Sequence, residues 1–325
     1  MAETSVTRHY FEPGTGLHTF APGQEIRVPQ LIESTFKVKV VSRDNWLEIS
    51  GAEHDVSRAG EFLVSLEKFY KLRNRELDIR DIGLLARNFS DIGNPDIDTL
   101  WKGRLKVSPR KRDVLARSAR QLEYINSIRK HDIVFGIGPA GTGKTYLAMA
   151  SAVSAYLKQE VSRIILTRPA RESGERLGFL PGTLEDKVSP YLRPLYDALH
   201  EMLAAEEAAE LIARGVIEIA PLAFMRGRSL NDAFIILDEA QNTTVEQMLM
   251  FLTRMGFGSK CVITGDPTQS DLQVNERSGL NHAIGRLRSL PELGFTFFTA
   301  SDVVRHPLLE KIINAYNAKE SCSEK

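Results

Sequence analysis

Eight residues constrain this chain more than any others: Gly138-Pro139-Ala140-Gly141-Thr142-Gly143-Lys144-Thr145. They fit the pattern Gly-x-x-x-x-Gly-Lys-(Ser/Thr). An apolar run, Ile133-Val134-Phe135-Gly136-Ile137, precedes them, and Tyr146-Leu147-Ala148-Met149-Ala150 opens a helix after them. Strand, glycine loop and helix in that order make a phosphate cradle. The glycines let backbone N–H groups curl around a phosphate without Cβ clashes. The helix N-terminus adds positive potential. In such a cradle Lys144 reaches the β- and γ-phosphates of ATP, and the Thr145 hydroxyl ligates Mg²⁺.

The apolar strand before the loop is one of a series. Residues 163–167, 216–219, 233–237, 261–264 and 295–298 are further short apolar runs, separated by helical stretches. Continuous apolar strands alternating with helices predict an α/β unit whose parallel sheet is covered on both faces. In such a sheet the ligand lies at the carboxyl ends of the strands. The run Ala233 to Leu237 ends in Asp238 and Glu239. Asp238 is therefore expected beside the phosphate loop, holding Mg²⁺ through water, with Glu239 orienting or deprotonating the attacking water. Acids in the first turn of a helix are the plainer reading of the same pair.

Three further positions have two readings each. Gln269, in Gly265-Asp266-Pro267-Thr268-Gln269, suits a contact to the γ-phosphate or the attacking water, and equally suits an ordinary turn. Gln121 carries an amide able to pair with the adenine edge, and also reads as an exposed helical glutamine. Arg305 follows the last apolar run, where a cation stabilises charge on a transferring phosphoryl group, or is a surface arginine.

The amino-terminal part differs. Residues 1–28 carry Gly and Pro turn signals and no periodicity, and read as a loose arm. Residues 36–41 and 46–49 alternate as strands do, with turn chemistry at 42–45. Val56, Ala59, Phe62, Leu63, Leu66, Phe69 and Tyr70 recur at helical steps, and a shorter helix is expected near 77–88. These features predict a small α+β domain over 29–90. Residues 91–114 read as a linker holding six basic residues between Lys102 and Arg112. The nucleotide-binding domain spans 115–318, and 319–325 is a polar tail.

The 325 residues carry 42 Lys+Arg and 42 Asp+Glu, so net charge gives no support for nucleic-acid binding and any such binding needs a local patch. Two cysteines, Cys261 and Cys322, share no metal-ligand spacing, which fits a reducing compartment. No apolar run is long enough to span a bilayer, and the opening residues lack the apolar core of a secretion signal. No membrane association and a cytoplasmic location are expected.

Several longer runs carry a family likeness. GPAGTGKTYLA, the segment 164–182 with ILTRPA and LGFLPG, IEIAPLAFMRGRSLNDAFIILDEAQNTT at 217–244, TGDPTQ and DVVRHPLL together resemble the PhoH-like ATPases. That family is similar to the first RecA-like half of superfamily 1 helicases. The resemblance implies a RecA-like P-loop NTPase fold with Gln121 as an adenine contact, Gln269 as a γ-phosphate sensor and Arg305 as a catalytic arginine. It also implies single-stranded RNA as a partner, touched by Thr167, Arg168 and Arg171, with Arg226, Arg228 and the basic linker as further candidates. The small domain looks like a KH module. Such modules clamp RNA through a Gly-x-x-Gly loop, and residues 30–90 contain none, which favours a structural or protein-docking role.

The chain has room for one RecA-like domain where helicases use two. A homo-oligomer follows as an expectation, in the form of a closed, hexamer-like ring with ATP near subunit interfaces. Arg305, or Arg226 with Arg228, could then act across the interface, and Arg305 suits action within its own subunit as well. The expected function is Mg²⁺-dependent ATP hydrolysis coupled to RNA or ribonucleoprotein remodelling, including rRNA processing beside an endoribonuclease partner. The alternatives are a slow nucleotide-gated binding switch that does not move along nucleic acid and, third, a P-loop kinase.

Overall fold

The computed structural model describes residues 4–20, 22–23, 25–43, 45–73, 79–92, 97–111, 113–169, 184–273 and 276–303. They fall into two compact units, one of residues 1–104 with 115–122 and one of 105–114 with 123–325.

The first unit is built on a three-stranded antiparallel sheet in the order β1-β3-β2, formed by β1 (Thr4–Tyr10), β2 (Lys39–Arg43) and β3 (Trp46–Ala52). Between β1 and β2 lie α1 (Leu17–Phe20) and α2 (Arg27–Phe36), and after β3 come α3 (Glu53–Arg73), α4 (Ile79–Ile92) and α5 (Ile97–Lys102). Apolar residues at helical steps bury one face of each long helix: Val28, Ile32 and Phe36 on α2, Phe62, Leu66 and Phe69 on α3, and Ile82, Leu85 and Phe89 on α4. They close on Leu47 and Ile49 of the central strand. Phe62 bridges Phe36 and Phe89, with ring centroids 5.5 and 5.6 Å apart.

Two expectations are corrected here. Residues 1–28 are not a loose arm, because Thr4–Tyr10 pair along the whole of β3 and α2 starts at Arg27. The strand expected from Phe36 starts at Lys39, since Phe36 closes α2 and Lys37 ends it in the left-handed conformation.

Within the second unit, the strands expected from the apolar runs all form: β4 (Ile133–Ile137), β5 (Arg163–Arg168), β6 (Ile217–Pro221), β7 (Ala233–Leu237), β8 (Lys260–Gly265) and β9 (Leu293–Phe297). They pair in parallel in the order β6-β5-β7-β8-β4-β9. The helices are α6 (Ala119–Lys130, its last residues in this unit), α7 (Lys144–Leu157), α8 (Leu184–Met202), α9 (Ala205–Ala213), α10 (Val245–Leu252) and α11 (Gly279–Leu287). This is the RecA-like P-loop architecture. Its strand order places β4 and β5, consecutive in the chain, two strands apart, with β7 and β8 between them. The register then brings Ile137 beside Gly265 and Thr167 beside Leu237, so the ends of four strands meet at one edge.

The basic linker is also corrected. Leu105 and Val114 pair with each other, Ser108 N–H donates to the Met202 carbonyl, and the Lys111 ammonium donates to the His200 carbonyl. Residues 105–111 are thus a packed part of the second unit, covering the end of α8. Leu105, Val107 and Val114 are buried there while Lys106 and Arg110 are exposed. Along Leu105-Lys106-Val107 the apolar side chains turn inward and the lysine faces water.

Candidate active site

The loop after β4 turns on glycines in conformations that other residues avoid. Gly138, Gly141 and Gly143 have φ of 144°, 81° and 84°. Gly138 N–H donates to the Gly265 carbonyl, which ties the loop to the end of β8. A Cβ on Gly138 would overlap the Phe298 carbonyl and lie 2.8 Å from the Phe298 side chain. The loop therefore requires glycine here for both space and dihedral angle.

Lys144 and Thr145 follow as the first turn of α7. The Lys144 ammonium is buried and donates to the carbonyls of Gly138 (2.6 Å) and Pro139 (2.7 Å). Burial lowers its pKa, while Asp266, Asp238 and Glu239 oppose that shift.

Asp238, on the residue after β7, is buried. Its Oδ1 accepts from the Thr145 hydroxyl at 2.7 Å and from the Thr264 hydroxyl at 2.7 Å. Glu239 takes a left-handed backbone conformation, φ 51°, which turns the chain out of the sheet and into a short 3₁₀ turn. Its Oε1 lies 3.0 Å from Arg168 Nη2, and its Oε2 accepts from the Gln241 amide. The other end of that amide accepts from Asp266 N–H at 3.0 Å. Gln241 therefore joins the end of β7 to the end of β8. Asp266 Oδ1 accepts from the Thr268 N–H and hydroxyl, and its buried Oδ2 has no hydrogen-bond partner.

The structure thus brings together Lys144, Thr145, Asp238 and Glu239. Gln269 is exposed on the turn after β8, where its N–H donates to the Asp266 carbonyl. Gln121 is buried in the first unit, not exposed, and its Oε1 accepts from Arg117 N–H at 2.7 Å. Arg305 and Arg171 lie outside the described residues.

Among the expected nucleic-acid contacts, Thr167 is buried and its hydroxyl has no hydrogen-bond partner. Arg226 is exposed. Arg228 is committed to a two-pronged pair with Glu218, at 2.5 and 2.7 Å, which holds the Glu218 carboxyl below its usual range. An arginine already paired in this way makes a poorer phosphate ligand than its sequence suggests.

Sequence reasoning missed Thr264 and Gln241 as site residues. The signal was present: Thr264 is a hydroxyl near the end of an otherwise apolar strand, and Gln241 lies two residues beyond Glu239.

A family model described as "PhoH-like protein" matches residues 113–317. A PhoH-like protein of Synechocystis sp. is 44% identical over 324 residues, covering 99% of this chain and 98% of its own. One of Bacillus subtilis is 44% identical over 288 residues, covering 89% and 90%. One of Mycobacterium tuberculosis is 59% identical over 210 residues, 65% of this chain. That match spans only 60% of the mycobacterial protein's length.

Proposed function

The chain belongs to the PhoH-like family, and from that premise we propose that it is a Mg²⁺-dependent ATPase acting on RNA or ribonucleoprotein. The observation that carries the proposal is the Asp238 carboxylate between the hydroxyls of Thr145 and Thr264, beside a glycine loop and a buried lysine. A hydroxyl and a carboxylate oxygen 2.7 Å apart at the head of α7 are hard oxygen donors, which suit Mg²⁺. Thr145 and Asp238 would hold that ion, Asp238 through water. When bound, the ion supplies charge neutralisation for the β- and γ-phosphate oxygens.

The protein's own residues supply the rest. Loop N–H groups bind phosphate oxygens, and Lys144 leaves the Gly138 and Pro139 carbonyls to bind the terminal phosphates. A water attacks the γ-phosphorus. A new O–P bond forms, the bond to the β–γ bridging oxygen breaks, and ADP departs. Glu239 orients that water and takes its proton. Gln269 senses the γ-phosphate, and Arg305 stabilises charge on the transferring group.

The remaining elements of the proposal are single-stranded RNA as ligand, a hexameric ring of copies and an endoribonuclease as partner. Exposed Lys106, Arg110 and Arg226 support a polyanion surface. Steady-state turnover tests the reading, with and without Mg²⁺ and single-stranded RNA and with Glu239→Gln as control. RNA-stimulated, Mg²⁺-dependent phosphate release is expected. Slow turnover indifferent to RNA supports the second reading, a nucleotide-gated switch. One observation favours that second reading: both Glu239 oxygens are engaged within the protein.

A further inference from the structure

We propose that Arg168 is a latch on Glu239, opened when a phosphodiester backbone takes Arg168 away. The inference rests on Glu239 acting as the general base. Arg168 is the last residue of β5, and the Asp238 N–H donates to the Thr167 carbonyl at 2.9 Å. That bond sets the Arg168 side chain beside Glu239, with Nη2 3.0 Å from Oε1. Gln241 occupies the other carboxylate oxygen. A general base must turn an open lone pair toward the water whose proton it takes, and two protein donors on one carboxylate fix where its lone pairs face. With Arg168 on one oxygen and Gln241 on the other, Glu239 is held out of that role.

Arg168 is the partner that can leave. Its side chain retains 21% exposure, and among the described residues its other hydrogen bond is a long 3.4 Å one to the Tyr191 carbonyl. Gln241 is buried and tied to the Asp266 backbone. The guanidinium meets Glu239 through a single nitrogen. A phosphodiester oxyanion pair offers it the two-pronged geometry that this contact lacks. Arg168 moving to the phosphate frees Oε1, so ligand binding at the end of β5 raises ATP turnover without a change in the nucleotide loop.

This makes Arg168 a positioning residue with a restraining effect. The test measures kcat and KM for ATP with the full chain, with and without polyuridylate. The expected result is that Arg168→Ala and Arg168→Gln each raise the RNA-free kcat about two- to fivefold, the population shift one part-exposed ion pair can supply. KM stays near wild type, and polyuridylate stimulates these variants no further. Arg168→Lys keeps the pair and returns the RNA-free kcat to the low value, which a merely structural role would not produce. An RNA-free kcat in the Ala and Gln variants that equals or falls below wild type overturns the latch. If wild type ignores polyuridylate while both variants still rise, the phosphodiester opener is overturned. Full turnover in Glu239→Gln would instead remove Glu239 as base, which is failure of the underlying reading.

Discussion

Replacing Gly138 with alanine isolates the backbone of the nucleotide loop from its side chains. At φ 144° the substitution meets two penalties. The dihedral is one that residues with a Cβ rarely adopt, at a cost of about 1–3 kcal/mol. The new Cβ would also overlap the Phe298 carbonyl and lie 2.8 Å from the Phe298 side chain. That backbone cannot retreat easily, because Phe298 N–H is bonded to the Ile137 carbonyl at 2.7 Å. Forced overlap adds about 1–3 kcal/mol. The smallest sum, about 2 kcal/mol, lowers the population of the native loop some thirtyfold and the melting temperature by roughly 4–8 °C. Gly285→Ala is the matched control. It lies inside α11, and its Cβ would meet nothing within 4 Å, so a gain of about 0.5–1 kcal/mol is expected. Thermal melts with and without ATP, and titration with a fluorescent ATP analogue, read both variants. A Gly138→Ala protein with wild-type melting temperature and wild-type nucleotide affinity would refute the reasoning.

Four other outcomes are expected. Lys144→Ala loses tight ATP binding and the ATP-dependent rise in melting temperature; an unchanged rise would remove this loop from nucleotide binding. Glu239→Gln retains ATP binding while turnover falls about 10²–10⁴-fold, checked by single-turnover phosphate release. Thr264→Val removes a buried hydroxyl that donates to Asp238, costing about 1.5–3 kcal/mol in urea unfolding; a smaller loss would mean the bond contributes little. Burial holds the His9 imidazole below its ordinary value of 6.5, against the pull of Glu67. Folding thus favours neutral His9, and its contribution is intact above pH 6.5 and lost as pH falls through the folded value. Urea midpoints between pH 7.5 and 5 should show that loss, and His9→Asn should flatten it.

Legibility differed between the two units for a physical reason. Parallel strands buried on both faces must be apolar throughout, so β4 to β9 announce themselves whatever they pair with. The first unit's edge strand has no such duty. Thr4–Tyr10 reads Thr-Ser-Val-Thr-Arg-His-Tyr, and only its pairing with β3 makes it a strand. The helix α2 was hidden differently. Val28, Ile32 and Phe36 do recur at four-residue steps, but the Pro22-Gly23 turn signal just before them reads as loop, and Pro29 interrupts the pattern. Proline in the first turn of a helix costs no hydrogen bond.

The phosphate loop, the acidic end of β7 and the apolar strands of the parallel sheet can be read along the chain without its fold. Each is a local pattern whose residues are adjacent in the chain, so sterics and strand periodicity specify it without reference to a partner. Tertiary structure alone decided which charges are spent. Arg168 and Glu239, and Thr264 and Asp238, meet because the strand order puts β5, β7 and β8 side by side. Arg228 meets Glu218 across the residues that separate β6 from β7. A side chain's availability to a ligand depends on which neighbour reaches it first, and strand order settles that.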